Sequence, residues 1–120
     1  MPTLEAALAL AVEAHRGQRD KAGQPYILHP LRVMLAIEGA LGRIAAVLHD
    51  VVEDTDVTLE DLARERFDRS VIEALRALTK LPEEDRLAAA ERAVANSIAR
   101  NVKLADNANN SDLSRIANPT

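Results

Sequence analysis

The chain has 120 residues, enough for one domain with a modest hydrophobic core. Hydrophobic residues make up 48% but aromatics only 2%, so the core must be built from alanine, leucine, isoleucine and valine, a set that suits closely packed helices. A net charge of −4 without a basic tail gives no electrostatic reason to expect nucleic acid, the lack of cysteine excludes disulfides and thiolate metal sites, and no apolar run is long enough to span a bilayer.

Thr3 to His15 reads as a first helix, with Thr3 as N-cap and Leu4, Leu8 and Val12 recurring at i+4. Residues 17–25 form a polar loop, because two glycines and a proline exclude a regular helix there. Its Arg19 and Lys21 are candidates for holding phosphates, the alternative being a solvated connector. Residues 26–36 begin extended and become helical, with Pro30 in the first turn and His29 as the cap residue. A histidine fixed at a helix start is either a well-held metal ligand or a capping and packing residue.

Ile44 to Val52 is an apolar run longer than a strand needs, and its alanines favour a buried central helix. The run leads into Leu48-His49-Asp50-Val51-Val52-Glu53-Asp54-Thr55. His49 and Asp50 point about 100° apart on a helix, yet both can reach one ion lying beside it. Glu53 follows His49 and Asp54 follows Asp50 at i+4, so the four groups project toward one side region. Acidic side chains at the end of a buried helix need charge compensation, which a bound cation supplies, and imidazole with carboxylate suits Mn, Fe or Zn. The competing reading makes His49 a satisfied core histidine and Asp50 a surface charge.

Thr58 and Asp61 form a capping-box pattern, with Leu59, Leu62 and Phe67 as the buried side of a short helix. Residues 69–80 make another helix with the apolar stripe Val71, Ile72, Leu75 and Leu78, broken by Pro82. Residues 83–99 read as one long alanine-rich helix. Over residues 100–110 a helix turns Val102, Ala105 and Ala108 or Asn109 inward, with Asp106 beside that face and Asn110 one turn further on the same side as Asp106. Asn118-Pro119-Thr120 is punctuation that usually opens a new element, so the natural chain is expected to continue, or a partner chain to cover this end. With no signal-like segment at the start, a cytoplasmic protein is the default expectation.

His29, His49-Asp50 and Asp106 form, in order, the pattern His…His-Asp…Asp, which resembles the HD-domain phosphohydrolase superfamily. Within it the chain is most similar to the hydrolase domain of RelA/SpoT-type alarmone enzymes and their small stand-alone relatives. The shared motifs are Ala14-His15-x-Gly17-Gln18, Lys21-x-Gly23-x-Pro25-Tyr26-Ile27-x-His29-Pro30, Leu48 to Thr55, Leu78-Thr79-Lys80-Leu81 and Lys103-Leu104-Ala105-Asp106. They occur in the family's order over almost the whole chain.

The resemblance implies an all-α HD-domain bundle of about six helices, a single domain over residues 1–120 without a synthetase domain. It implies that His29, His49, Asp50 and Asp106 ligate one divalent ion, usually manganese, with Fe, Zn or others as alternatives. Glu53 and Asp54 match the family's catalytic acidic pair. The implied reaction removes the 3′-pyrophosphate from guanosine tetra- or pentaphosphate by attack of a metal-activated water. Glu53 or Asp54 would orient the water and move protons, and Lys21 and Arg19 would neutralise phosphate oxygens. Asn110 matches the family position that helps bind the nucleoside. His15 either supports the site from behind or simply packs. The implied partner is a small-molecule nucleotide, with no nucleic acid and no membrane, and a homo-oligomer is left open.

Two departures bear on specificity. Asp20 stands where the family often has an arginine able to stack on the base, and Asn107-Ala108-Asn109-Asn110-Ser111-Asp112 replaces Arg-Leu-His-Asn-Met-Arg. A carboxylate near a polyphosphate repels it, so another nucleotide is the main rival substrate. A non-catalytic sensor of metal and nucleotide would be expected to lack the ligands or Glu53-Asp54, and a purely structural helical domain leaves the acidic end of a buried helix unexplained.

Overall fold

The computed structural model describes residues 3–79 and 85–110, Asn110 by its backbone alone. Seven helices are found among these residues: α1 (Leu4–Ala14), α2 (Leu28–Leu35), α3 (Ala40–Asp54), α4 (Leu59–Arg64), α5 (Arg69–Leu78), α6 (Arg86–Ala95) and α7 (Ser97–Asn110). Among the described residues β-pairing is limited to one isolated antiparallel bridge between Arg19 and Pro25. The all-α expectation holds, and no helix among the described residues is long and apolar enough to cross a membrane. The proline break at Pro82 and the expectation about the chain end fall outside the described residues.

The axis of the fold is α3, which packs against α1, α2, α5 and α7. Ala45, Val47, Leu48 and Val51 on it are fully buried, as are Ala7 and Ala11 of α1 and Val71, Ala74 and Leu75 of α5. Small side chains on facing surfaces let the helices approach closely, which is how a chain almost without aromatics closes its core. Most helix starts are written in the sequence as caps. The Thr3 side chain accepts from the Ala6 amide, Asp68 from Ser70, and Thr58 with Asp61 completes the capping box.

One expected helix is split in two. The helix read over residues 83–99 is divided at Asn96, whose backbone turns extended (φ −105, ψ 123) and whose side chain accepts from the Ala99 amide at 2.9 Å. A single asparagine thus ends α6 and caps α7, so that residues 97–110 form one helix in a new direction.

At Gly42 of α3 a Cβ would lie 2.8 Å from Cγ2 of the buried Ile37. Alanine would gain about 1 kcal/mol of helix propensity. Displacing a buried β-branched side chain costs about 1–3 kcal/mol, which outweighs that gain. Gly42→Ala is therefore expected to lower stability by about 1 kcal/mol, read as a lower urea midpoint with an unchanged slope.

Candidate metal centre

Because α3 is enclosed by neighbours, its C-terminal half carries two charged groups inward: His49 is 7% exposed and Asp50 8%. The N-terminal turn of α2 brings His29 to the same point, and α7 brings Asp106. His29 Nε2 lies 2.7 Å from Asp106 Oδ1 and 3.6 Å from Asp50 Oδ2. His49 Nδ1 lies 3.8 Å from Asp50 Oδ1, and His49 Nε2 lies 3.2 Å from Glu53 Oε1. The four candidate ligands and Glu53 thus form one continuous cluster drawn from three helices. The donor atoms of His49, Asp50 and Glu53 all fall within 4.8 Å of one another. Asp54 follows at the exposed end of α3.

His29 is not the cap residue expected from the sequence. Ile27 takes that position and α2 starts at Leu28, so His29 and Pro30 both lie inside the first turn. Proline is tolerated there because first-turn amides have no intrahelical partner. The cap thus lies two residues earlier than expected, and the His29 imidazole is buried, at 4% exposure.

The sequence assigns no role at the site to two residues, although Tyr26 lies in a shared motif and Asn109 is one of the alternatives for the inward face of its helix. Asn109 Oδ1 lies 2.6 Å from His29 Nδ1. An amide oxygen only accepts, so Nδ1 carries the proton and Nε2 is the nitrogen turned to Asp50 and Asp106. Tyr26 packs its ring against His29 (centroids 5.9 Å apart) and His15 (5.1 Å). Burial, the charges of Asp50 and Asp54 and hydrogen bonding to both push the Tyr26 phenol well above the ordinary phenol range, so it stays protonated. His15 is buried, with its Nδ1 bonded to Gln18 Oε1.

The electrostatics suit a cation. Burial raises the Asp50 pKa, and the charges of His49 and His29 only partly offset this. Burial alone would lower His29, but its bonds to Asp106 and Asn109 and the Asp50 charge outweigh that and raise it. His49 follows the same pattern, with Glu53 as the main raising partner. For Asp106, burial is outweighed by the His29 bond and charge, so its pKa is lowered. Among the described residues Asp50 is within salt-bridge distance of no lysine or arginine, only of the two histidines. A buried carboxylate met by two imidazoles and the Tyr26 phenol but by no lysine or arginine among the described residues, with further carboxylates beside it, is a donor set that fits a divalent ion.

The loop residues are placed differently. Arg19 donates from Nη1 to the Gly23 carbonyl at 3.0 Å, inside its own loop, and Lys21 is exposed. Asp20 Oδ1 accepts from the amides of Ala22 (2.9 Å) and Gln24 (3.0 Å), so it closes the loop's turn. The Asn110 side chain lies outside the description.

Residues 7–109 match the family described as HD domain. The chain belongs to the HD-domain family. An HD domain is a divalent-metal-binding unit, and the His49, Asp50 and Glu53 cluster offers donors that could hold such an ion. This HD domain is 42% identical over 83 residues, 65% of its length, to a guanosine-3′,5′-bis(diphosphate) 3′-pyrophosphohydrolase of Aquifex aeolicus. It is 40% identical over 104 residues, 82% of its length, to a GTP pyrophosphokinase of Streptomyces coelicolor. The chain spans 12% of the length of each of these curated relatives. Among solved structures it resembles that of a metazoan ortholog of SpoT which hydrolyses ppGpp, with a TM-score of 0.75 and 32% identity over 89% of this chain and 67% of that one.

Proposed function

We propose that this HD domain is a metal-dependent phosphohydrolase that releases pyrophosphate from guanosine tetra- or pentaphosphate in the cytoplasm. The observation that carries the reading is the convergence of His29, His49, Asp50 and Asp106 from three helices beside Glu53 and Asp54. The names of the relatives support the same substrate class. In this reading the four residues hold one Mn²⁺. When bound, the ion supplies Lewis acidity, polarising the phosphoryl group and making hydroxide available near neutral pH. Glu53, tied to His49 and open to solvent, takes the proton from the attacking water. Asp54 is oriented by the Tyr26 phenol, and Asn109 fixes the His29 tautomer.

A second reading, hydrolysis of another nucleotide, is favoured by one observation: Asp20 fastens the loop where an arginine could have met the base. The test is phosphate and pyrophosphate release from a nucleotide panel that includes guanosine tetraphosphate, with Mn²⁺ and then with chelator. Metal-dependent pyrophosphate release from the alarmone is expected. Release from other nucleotides only would move the assignment to the second reading, and no release from any would reject both.

Mn²⁺ competes with protons on His29 and His49, both titrating above the ordinary value of about 6.5. Affinity is therefore expected to fall as pH drops through and above that value, with protons released on binding. In the metal-free protein the sign is opposite. A raised histidine pKa contributes stability below about 6.5 that is lost as pH rises through the folded-state value. Calorimetric titration in buffers of different ionisation enthalpy measures the release, and pH-independent Mn²⁺ binding would exclude the histidines as ligands.

A further inference from the structure

Beside Glu53 and Asp54 the ends of α3 and α5 meet α6 and α7 around a cleft of about 590 Å³. This is within the range of about 300–1,000 Å³ usual for small-molecule sites. Two of its lining residues are cations: Arg86, the first residue of α6, and Lys103, one turn before Asp106 on α7. Both are exposed, and among the described residues neither lies within salt-bridge distance of a carboxylate. Lys103 acts on Asp106 only across a longer distance, so neither cation is held in an ion pair that would keep it from a ligand. Val52, Leu78 and Ala93 give the cleft an apolar side.

A polyphosphate reaching Glu53 and Asp54 meets two like charges, and something must offset them. The sequence suggests Arg19 and Lys21, but the Arg19 guanidinium is bonded to its own loop. We propose that Arg86 and Lys103 form a phosphate-recognising wall of this cleft and hold a diphosphate group of the substrate. Arginine can grip two phosphate oxygens at once, and lysine adds a point charge. The proposal rests on the reading above for which nucleotide arrives, and not for the anion site itself.

The test is calorimetric titration of the metal-free full chain with inorganic pyrophosphate, so that the anion cannot bind through the ion. Wild type, Arg86→Ala, Arg86→Lys, Lys103→Ala and Arg69→Ala, an exposed arginine that does not line the cleft, are compared. Each cleft alanine variant is expected to bind about tenfold more weakly, as for one charged hydrogen bond. Arg86→Lys should lose less, and Arg69→Ala nothing. Failure of wild type to bind pyrophosphate, or wild-type affinity in both Arg86→Ala and Lys103→Ala, overturns the proposal. If no nucleotide is turned over yet the two variants lose the anion, the proposed reaction fails and the phosphate wall stands.

Discussion

Asp50→Asn is expected to abolish divalent-metal binding and turnover while raising the stability of the metal-free protein at neutral pH. Asparagine keeps the shape but removes the buried negative charge. In an HD domain even a residue supporting a ligand costs about 10–100-fold in metal affinity, so loss of a ligand should exceed about 100-fold. The stability change has the other sign. Burial raises the folded-state pKa of Asp50 above 3.8, so this group contributes stability at low pH that is lost as pH rises through the folded value. Asparagine does not undergo that loss. Thermal melts with chelator should show the variant at or above wild type, and added Mn²⁺ should raise the wild-type midpoint alone. Retained Mn²⁺ binding within about tenfold of wild type would remove Asp50 from the ligand set.

Glu53→Gln is expected to lower kcat by about 10²–10⁴-fold, the usual contribution of a positioned acid or base. Metal affinity should stay within about tenfold of wild type, because glutamine retains an oxygen that can accept from His49 Nε2, now at 3.2 Å. The experiment is sharp because Glu53 lies inside the same 4.8 Å cluster as His49 and Asp50. If affinity for Mn²⁺ collapsed as for Asp50→Asn, Glu53 would be a ligand, and proton handling would pass to Asp54.

The parts of this site written locally were legible. An apolar run that ends in His49-Asp50 announces charge carried into a core, and Thr58 with Asp61 announces a helix start in four residues. Asn96 was hidden because the alanine-rich run before it and Ala99 and Arg100 after it keep the average helical, so one capping side chain decided against that average. Tyr26 and Asn109 act through partners far along the chain: Asp50 and Asp54 for one, His29 for the other. No periodicity reports such a meeting. Asp20 has a local role that the motif comparison does not give, since its carboxylate also closes the turn of its own loop.

The helix that carries Arg86 buries only one of its residues, Ala93, and leaves Leu87 and Val94 more than half exposed. The helices that bring the histidines and Asp106 together are, by contrast, locked through the core by α3. Substitutions along α6 therefore put little stability at risk, while those around His29 or Asp50 put both folding and chemistry at risk. Such a division lets selection, or an engineer, redraw what the α6 side of the cleft would bind over many neutral steps without touching the residues proposed to hold the ion.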